Sequence, residues 1–208
     1  MVPTDTVYGL VCDARNERAK RRIYEIKGRR FDKPLIGFVG SVQAARRVCR
    51  LSEDHLRIVN RAWPGATTFL LPAAAEIPLM TSPAGEIGLR MPDHQLLLTC
   101  LNETDLLAST SANVSGEGAC RSLDRVPDAV KEAVDLCIDG GKTPRGESAI
   151  WRLTPQGPLL VRGTVLFVCE GNTCRSPMAE HLLRQALAPS GSINVISAGL
   201  MAPAGTPI

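Results

Sequence analysis

Short apolar segments alternate along this chain with longer segments whose apolar side chains recur every three or four positions. The short segments are typical of buried β-strands and the longer ones of amphipathic helices, so the alternation predicts an α/β fold. Strands are expected at residues 6–12, 35–39, 67–71, 87–91, 106–109 and 136–138, with a closing hairpin of residues 149–153 and 159–162. Helices are expected at residues 18–26, after the N-cap residues Ser41 and Ser52, and near residues 127–133.

The pattern restarts after Gly163 with an apolar strand at residues 165–168, which we expect to be buried, then a turn and an amphipathic helix at residues 176–187. This restart predicts a boundary between a domain of residues 1–163 and a second segment of residues 164–208. Within the first domain, residues 140–148 are rich in glycine, proline and charge, which is typical of a mobile loop.

The charge of the chain is concentrated in one segment. The formal net charge is only +3 over 208 residues, too small by itself to indicate a nucleic-acid-binding protein, whereas residues 15–33 hold nine basic and three acidic side chains. Such a segment can bind the phosphates of a nucleotide or of RNA, although a basic run is more often a solvated helix face.

The seven cysteines are an odd number without a Cys-x-x-Cys pair, which argues against a disulfide framework and a zinc site and fits a reducing compartment. The opening sequence MVPTDTVYGL lacks the features of a signal peptide. No uncharged apolar run approaches the roughly twenty residues that span a bilayer. We therefore expect a cytoplasmic protein without membrane contact or a resident metal ion.

Three polar segments carry the candidate chemistry. PTDTVYGL at residues 3–10 places small hydroxyl groups at a strand start, where they can bond a ligand. Lys27-Gly28-Arg29 at a helix end, followed by DKPLI at residues 32–36, forms a compact pair of cations suited to a triphosphate. STSANVSG at residues 109–116 follows a strand, and ligands of open α/β sheets bind beyond the carboxyl ends of strands. Singly, these segments also fit ordinary turns or helix caps.

In this order, the three segments resemble the threonylcarbamoyl-AMP synthase (YrdC-like) family. The resemblance extends to WPGATTFLLP at 63–72, IGLRMPDH at 87–94, RGES at 145–148 and LLVRG at 159–163, and so covers residues 2–163. It implies a YrdC-like twisted mixed sheet with flanking helices. It also implies ATP-dependent synthesis of threonylcarbamoyl-AMP from threonine and bicarbonate, with release of pyrophosphate, for the threonylcarbamoyladenosine modification of tRNA.

The resemblance also implies roles for particular residues. The catalytic group that holds ATP and the reacting groups would consist of Lys27, Arg29, Ser111 and Asn113. The threonine-binding residues would be Thr6, Arg90, Ser111 and Ser148. The ATP-binding residues would be Arg29, Lys33, Asn113, Arg121 and Arg162. Arg90 is suited to the amino acid's carboxylate, and Thr6 and Ser148 to its hydroxyl. Mg²⁺ is expected with ATP as substrate, without a tightly bound cofactor. The implied partners are downstream tRNA-modifying proteins. Any binding of tRNA by the basic helix is expected to be weak and salt-dependent.

Residues 165–183, VLFVCEGNTCRSPMAEHLL, contain a cysteine, five further residues, and an arginine–serine pair that leads into a helix. This spacing lets backbone N–H groups, the helix N-terminus and a guanidinium converge on one oxyanion and lower the thiol pKa. The segment resembles the start of a low-molecular-weight protein tyrosine phosphatase and implies an incomplete phosphatase-like βαβ unit. Its phosphatase-like loop would consist of Cys169, Asn172, Cys174, Arg175 and Ser176.

The chain ends within this phosphatase-like region, from which we expect a fragment or a truncated fusion. Residues after 163 include no aspartate, and Glu170 and Glu180 are poorly placed to protonate a leaving group, so weak phosphatase activity is expected. Two alternatives stay open: a tyrosine phosphatase with a regulatory N-terminal domain, and an RNA-binding module that uses the basic segment. An RNA-only role is disfavoured because it does not explain the Ser-x-Asn loop or Arg90, and because aromatic residues make up only 4% of the chain.

Overall fold

The computed structural model describes residues 1–187 and 192–201. Its contacts divide the chain into two compact units, Met1–Pro158 and Leu159–Ile208. Strand β7, Gly157–Cys169, runs through this division and through residue 163. The boundary between two domains at residues 163 and 164 therefore stays a prediction.

The first unit is built on a mixed sheet whose strands lie in the order β1-β5-β2-β4-β3-β6. These strands are β1 Gly9–Asp13, β2 Ile36–Val39, β3 Thr67–Pro72, β4 Glu86–Arg90, β5 Leu106–Ser111 and β6 Ala149–Thr154. Strands β2 and β4 are parallel, as are β3 and β6, while β5 is antiparallel to both β1 and β2. The α/β fold with a mixed sheet is confirmed.

Five α-helices flank this sheet: α1 Glu17–Lys27, α2 Val42–Val48, α3 Glu53–Ala62, α4 Gln95–Thr104 and α5 Asp128–Glu132. The N-caps Ser41 and Ser52 are confirmed, since their side chains accept hydrogen bonds from the backbone N–H groups of Ala44 and His55. Helix α4 was not predicted, although Leu97 and Leu101, one turn apart, form its buried face.

Two predicted strands differ from the observed structure. Residues 136–138 form no strand; instead the Ile138 N–H donates to the carbonyl oxygen of Met1, and the Met1 ammonium donates to Leu136. The expected strand at residues 6–12 begins only at Gly9, because the Thr4 hydroxyl contacts Thr6 and Val7 and closes a tight turn.

Helix α1 explains the basic segment. Asn16 caps its N-terminus, and Gly28, at φ 57°, ends it by donating its N–H to Glu25. Lys20 and Lys27 lie on the buried face of the helix, whereas the arginines at positions 18, 21 and 22 are exposed. The basic helix is therefore only partly a solvated face.

In the second unit, β7 pairs in parallel with β8, Ile193–Gly199, and α6, Arg175–Leu187, connects them. The expected βαβ unit is present. The two short strands expected at 159–162 and 165–168 form the single strand β7, because Gly163 continues the extended backbone. The expectation that residues 165–168 are buried is wrong for Leu166 and Val168, each about half exposed on the same side of the strand. Within the described ranges, no helix is long and apolar enough to cross a membrane.

Candidate functional site

Lys27 joins two of the three polar segments. Its ammonium donates to the carbonyl oxygen of Ser111 at 2.5 Å, to that of Asn113 at 2.6 Å and to Asn113 Oδ1 at 3.0 Å. Lys27 ends helix α1 and Ser111 ends strand β5, so the fold closes a separation of 84 residues. The Lys-x-Arg and Ser-x-Asn segments therefore lie in one site.

Asn113 orders the loop that follows β5. Its Nδ2 donates to the carbonyl oxygens of Val114 at 3.0 Å and Glu117 at 2.6 Å, while its Oδ1 accepts from Lys27 and from the Ser111 hydroxyl. The side chain thus uses both of its polar atoms, as a buried amide should.

Burial dominates the electrostatics of Lys27. Only 2% of the residue is exposed, and desolvation, followed by repulsion from Arg29, lowers the pKa of its ammonium from 10.5 to about 8. Glu147 opposes this change by attraction. At neutral pH Lys27 remains charged, so the cation itself holds the Ser111–Asn113 loop.

Arg90 is fixed inside the first unit by three different groups. Its Nε donates to the carbonyl oxygen of Gly65 at 2.9 Å, its Nη1 to Thr6 Oγ1 at 2.8 Å, and its Nη2 forms a buried ion pair with Asp5. The guanidinium also lies 5.7 Å from the ring centroid of Phe38. The sequence did not indicate that Arg90 would pair with Asp5. The contact of Arg90 with a substrate carboxylate stays a prediction.

The segment of residues 140–148 is held at its end by Ser148 and in its middle by contacts with Arg121. The Ser148 hydroxyl lies 2.9 Å from that of Thr68, and both residues are buried. Arg121 donates to the carbonyl oxygens of Thr143 at 2.8 Å and Pro144 at 3.0 Å. The segment contains no helix or strand, as expected for a loop, and these contacts tie it to the body of the first unit.

Tyr8 anchors the start of the same segment. Its hydroxyl lies 3.0 Å from Asp139 Oδ1 and 2.8 Å from the carbonyl oxygen of Gly141, and it accepts the N–H of Gly140 at 3.0 Å. Asp139, Gly141 and Arg121 also line a cavity of about 620 Å³. Tyr8, Asp5 and Thr68 were given no role from the sequence, because their partners lie far along the chain.

The other residues that the sequence predicts to bind ATP are less closely grouped. Arg29 donates to the carbonyl oxygens of Lys33 and Pro34, each at 3.1 Å, and Lys33 is exposed. Arg162 lies on β7 within the second unit. Among the residues that the structure describes, no three His, Cys, Asp or Glu side chains form a group that could hold a metal ion.

The phosphatase-like loop is ordered around its cysteine. Cys169 Sγ lies 2.9 Å from the Ser176 hydroxyl and accepts the Asn172 N–H at 3.2 Å, and the oxygen of the same hydroxyl lies 2.6 Å from Asn172 Oδ1. Hydrogen bonds from Ser176, then from the backbone of Asn172 and Gly171, lower the Cys169 pKa from 9.0 to about 7. Cys174 and Arg175 are exposed at the start of α6, and the buried Glu180 is paired with Arg184 at 2.6 Å.

Comparison with known proteins gives two family matches. The Sua5/YciO/YrdC family, described as "Telomere recombination", matches residues 1–163, and the low molecular weight phosphotyrosine protein phosphatase family matches residues 164–208. The chain is 35% identical over 164 residues to a threonylcarbamoyl-AMP synthase of Pyrococcus abyssi, which covers 77% of this chain and 48% of the relative. A Bacillus subtilis protein of the same name is 34% identical over 165 residues, with the same coverage. The chain therefore spans about half the length of these relatives.

A solved structure supports the same relationship. The crystal structure of P. abyssi Sua5 complexed with L-threonine superposes on this chain with a TM-score of 0.72 and 30% sequence identity, covering 93% of this chain and 54% of the other. The fold described above is thus similar to that of a protein that binds L-threonine.

Proposed function

This chain belongs to the Sua5/YciO/YrdC family, and we propose that it synthesises threonylcarbamoyl-AMP from L-threonine, bicarbonate and ATP. The observation that carries the proposal is the contact of Lys27 with both Ser111 and Asn113, which assembles the Lys-x-Arg and Ser-x-Asn segments into one site. The product would serve the threonylcarbamoyladenosine modification of tRNA in the cytoplasm, by way of other tRNA-modifying proteins.

The reaction has two steps. The amine of threonine attacks the carbon of bicarbonate, and loss of water leaves a carbamate. A carbamate oxygen then attacks the α-phosphorus of ATP, the bond to the β-phosphate oxygen breaks, and pyrophosphate leaves. Neither step needs a covalent enzyme intermediate, so the protein contributes mainly by positioning the reactants and neutralising charge.

We assign the nucleotide side of the reaction to cations and the amino-acid side to hydroxyl groups. Arg29, Lys33 and Arg121 would bind ATP together with Asn113, and Mg²⁺ would come with ATP as part of the substrate. The role of Arg162, which lies in the second unit, stays a prediction from the resemblance. Thr6, Ser111 and Ser148 would contact threonine, and Arg90 would hold Thr6 in place through the 2.8 Å bond to its hydroxyl.

The test is identification of the product by mass spectrometry after incubation with ATP, Mg²⁺, L-threonine and bicarbonate. We expect threonylcarbamoyl-AMP, and pyrophosphate release that stops when either threonine or bicarbonate is omitted. Ser111→Ala should lower the rate, because it removes the hydroxyl that donates to Asn113. Ser115→Ala, in the same loop, is the matched control, since Ser115 contacts Lys27 through its backbone N–H. Pyrophosphate release without threonine would contradict the proposal.

A second candidate activity concerns the second unit alone. The contacts of Cys169 with Ser176 and Asn172, and the lowered Cys169 pKa, favour an anion-binding loop with a reactive thiolate. We propose that this loop binds phosphate-like oxyanions but turns over phosphotyrosine peptides poorly, because Glu180 is engaged with Arg184. Robust turnover of a phosphotyrosine peptide that Cys169→Ser abolishes would contradict weak activity.

A further inference from the structure

Asp5 has one carboxylate oxygen that the fold leaves unused. The residue is 8% exposed, its Oδ1 accepts from Arg90, and its Oδ2 is buried without a hydrogen-bond partner among the described residues. Buried polar atoms are almost always paired, because an unpaired one loses its bond to water and gains nothing in return. A buried, unpaired acceptor next to a proposed substrate-binding residue therefore points to a donor on a ligand.

The neighbouring Thr6 hydroxyl is held by two side chains. Its Oγ1 accepts from Arg90 Nη1 at 2.8 Å and lies 2.9 Å from Thr4 Oγ1. Thr4 donates its own hydroxyl hydrogen to the carbonyl oxygen of Val7 at 2.8 Å, so it cannot also donate to Thr6. Asp5 and Thr6 are thus bound to the two Nη atoms of the same guanidinium, and Asp5 Oδ2 is the acceptor of this cluster that has no partner among the described residues.

The charge of this cluster selects the kind of donor. The Arg90–Asp5 pair is neutral as a whole and both residues are more than nine-tenths buried. Adding an ammonium or a carboxylate would leave a net charge in a poorly solvated place, whereas adding a hydroxyl would not. Deepening the proposed function, on which this step rests, we infer that Asp5 is a specificity-determining residue whose Oδ2 accepts a hydrogen bond from the side-chain hydroxyl of threonine. Arg90 is then a positioning residue for Asp5 and Thr6.

The test compares L-threonine with 2-aminobutyrate, which lacks the hydroxyl, in wild type and Asp5→Asn. Asparagine keeps an acceptor for Arg90 but replaces Oδ2 with an NH₂ group. We expect the ratio of kcat/KM values for threonine over 2-aminobutyrate to fall about tenfold or more, because a bond to a charged acceptor is lost. Asp13→Asn, which breaks the exposed pair with Arg15, is the control and should leave the ratio unchanged.

A merely structural role for Asp5 predicts that both amino acids lose activity together, and an unchanged ratio would overturn the inference. An unchanged ratio is also expected if the group that donates to Asp5 is the ammonium, which both amino acids share. Should Asp5→Asn fail to fold, the wild type is tested with the 3-fluoro analogue of 2-aminobutyrate, whose fluorine cannot donate. We expect it to behave as 2-aminobutyrate does; activity equal to that of threonine would overturn the inference.

Calorimetry without ATP separates this inference from the proposed function. If wild type binds L-threonine at least tenfold more tightly than 2-aminobutyrate and Asp5→Asn removes the difference, the inference holds even when no pyrophosphate is released. If pyrophosphate is released but neither binding nor turnover distinguishes the two amino acids, the proposed function stands and the role of Asp5 is wrong. Absence of threonine binding would overturn both.

Discussion

Replacement of Lys27 by methionine tests the contact on which the proposed site depends. The change removes three hydrogen bonds, to the carbonyl oxygens of Ser111 and Asn113 and to Asn113 Oδ1. Leaving a buried acceptor unpaired costs about 1–3 kcal/mol, so three acceptors give a gross loss of about 3–9 kcal/mol. Removal of a buried ammonium offsets part of this. The lowering of the Lys27 pKa from 10.5 to about 8 means that keeping this buried ammonium charged costs about 3 kcal/mol, at about 1.4 kcal/mol per pKa unit.

We therefore expect the Lys27→Met substitution to lower the free energy of unfolding by about 3 kcal/mol, which leaves a typical domain folded. Because the Ser111–Asn113 loop loses its cation, kcat/KM for pyrophosphate release should fall about 10²–10³-fold, as for loss of a preorganised donor. Urea denaturation at pH 7 and a coupled pyrophosphate assay measure the two effects.

Lys20→Met is the matched control. Lys20 lies on the same helix, is 1% exposed, and donates a single hydrogen bond to the carbonyl oxygen of Pro78 at 2.8 Å. This variant should lose about 1 kcal/mol or less, with an unchanged rate of pyrophosphate release. Equal activity of the two variants would refute the argument that Lys27 organises the site.

The lowered pKa of Lys27 also gives a pH dependence. Between pH 8 and 10.5 the unfolded chain keeps the Lys27 proton while the folded chain releases it, so the unfolded state binds more protons. The Lys27 contribution to the free energy of unfolding must therefore rise with pH across that range and stay constant below it. In Lys27→Met this contribution is absent, and an identical pH profile for wild type and variant would contradict the assignment.

Three further predictions concern other parts of the chain. Tyr8→Phe should lower the free energy of unfolding by about 1 kcal/mol and speed amide hydrogen exchange in residues 140–148, because it removes the contacts of the hydroxyl with that segment. Exchange unchanged from wild type would contradict this. Alkylation of Cys169 by iodoacetamide should be half-maximal near pH 7 and shift toward pH 9 in Ser176→Ala; coincident profiles would show that Ser176 does not set the pKa. Added tRNA should leave the rate of pyrophosphate release unchanged, since the proposed site accounts only for small molecules, and a tRNA-dependent rate would show that the site is incomplete.

Within the chain, local signals were sufficient for most of the secondary structure. Ser41 and Ser52 bond N–H groups three residues away, and Gly28 reverses the backbone at the end of α1. Such contacts form within one turn, so they leave a pattern in adjacent residues. Helix α4 was missed, and residues 136–138 were assigned wrongly, because a short apolar run alone does not distinguish strand from helix or loop.

The sequence by itself determined the α/β class, most of the helices and strands in their order, and the segments that carry polar chemistry, because these follow from periodicity and local hydrogen bonds. Only the tertiary structure decided which polar groups meet. Lys27 and Ser111 lie 84 residues apart, as do Arg90 and Thr6, and Arg90 meets Asp5 across 85. The same holds for burial. Lys20 and Arg18 are basic residues two positions apart on the same helix, yet Lys20 is buried and Arg18 is exposed. Long-range packing sets both the partner and the solvation of a charge, and with them its pKa and its chemistry.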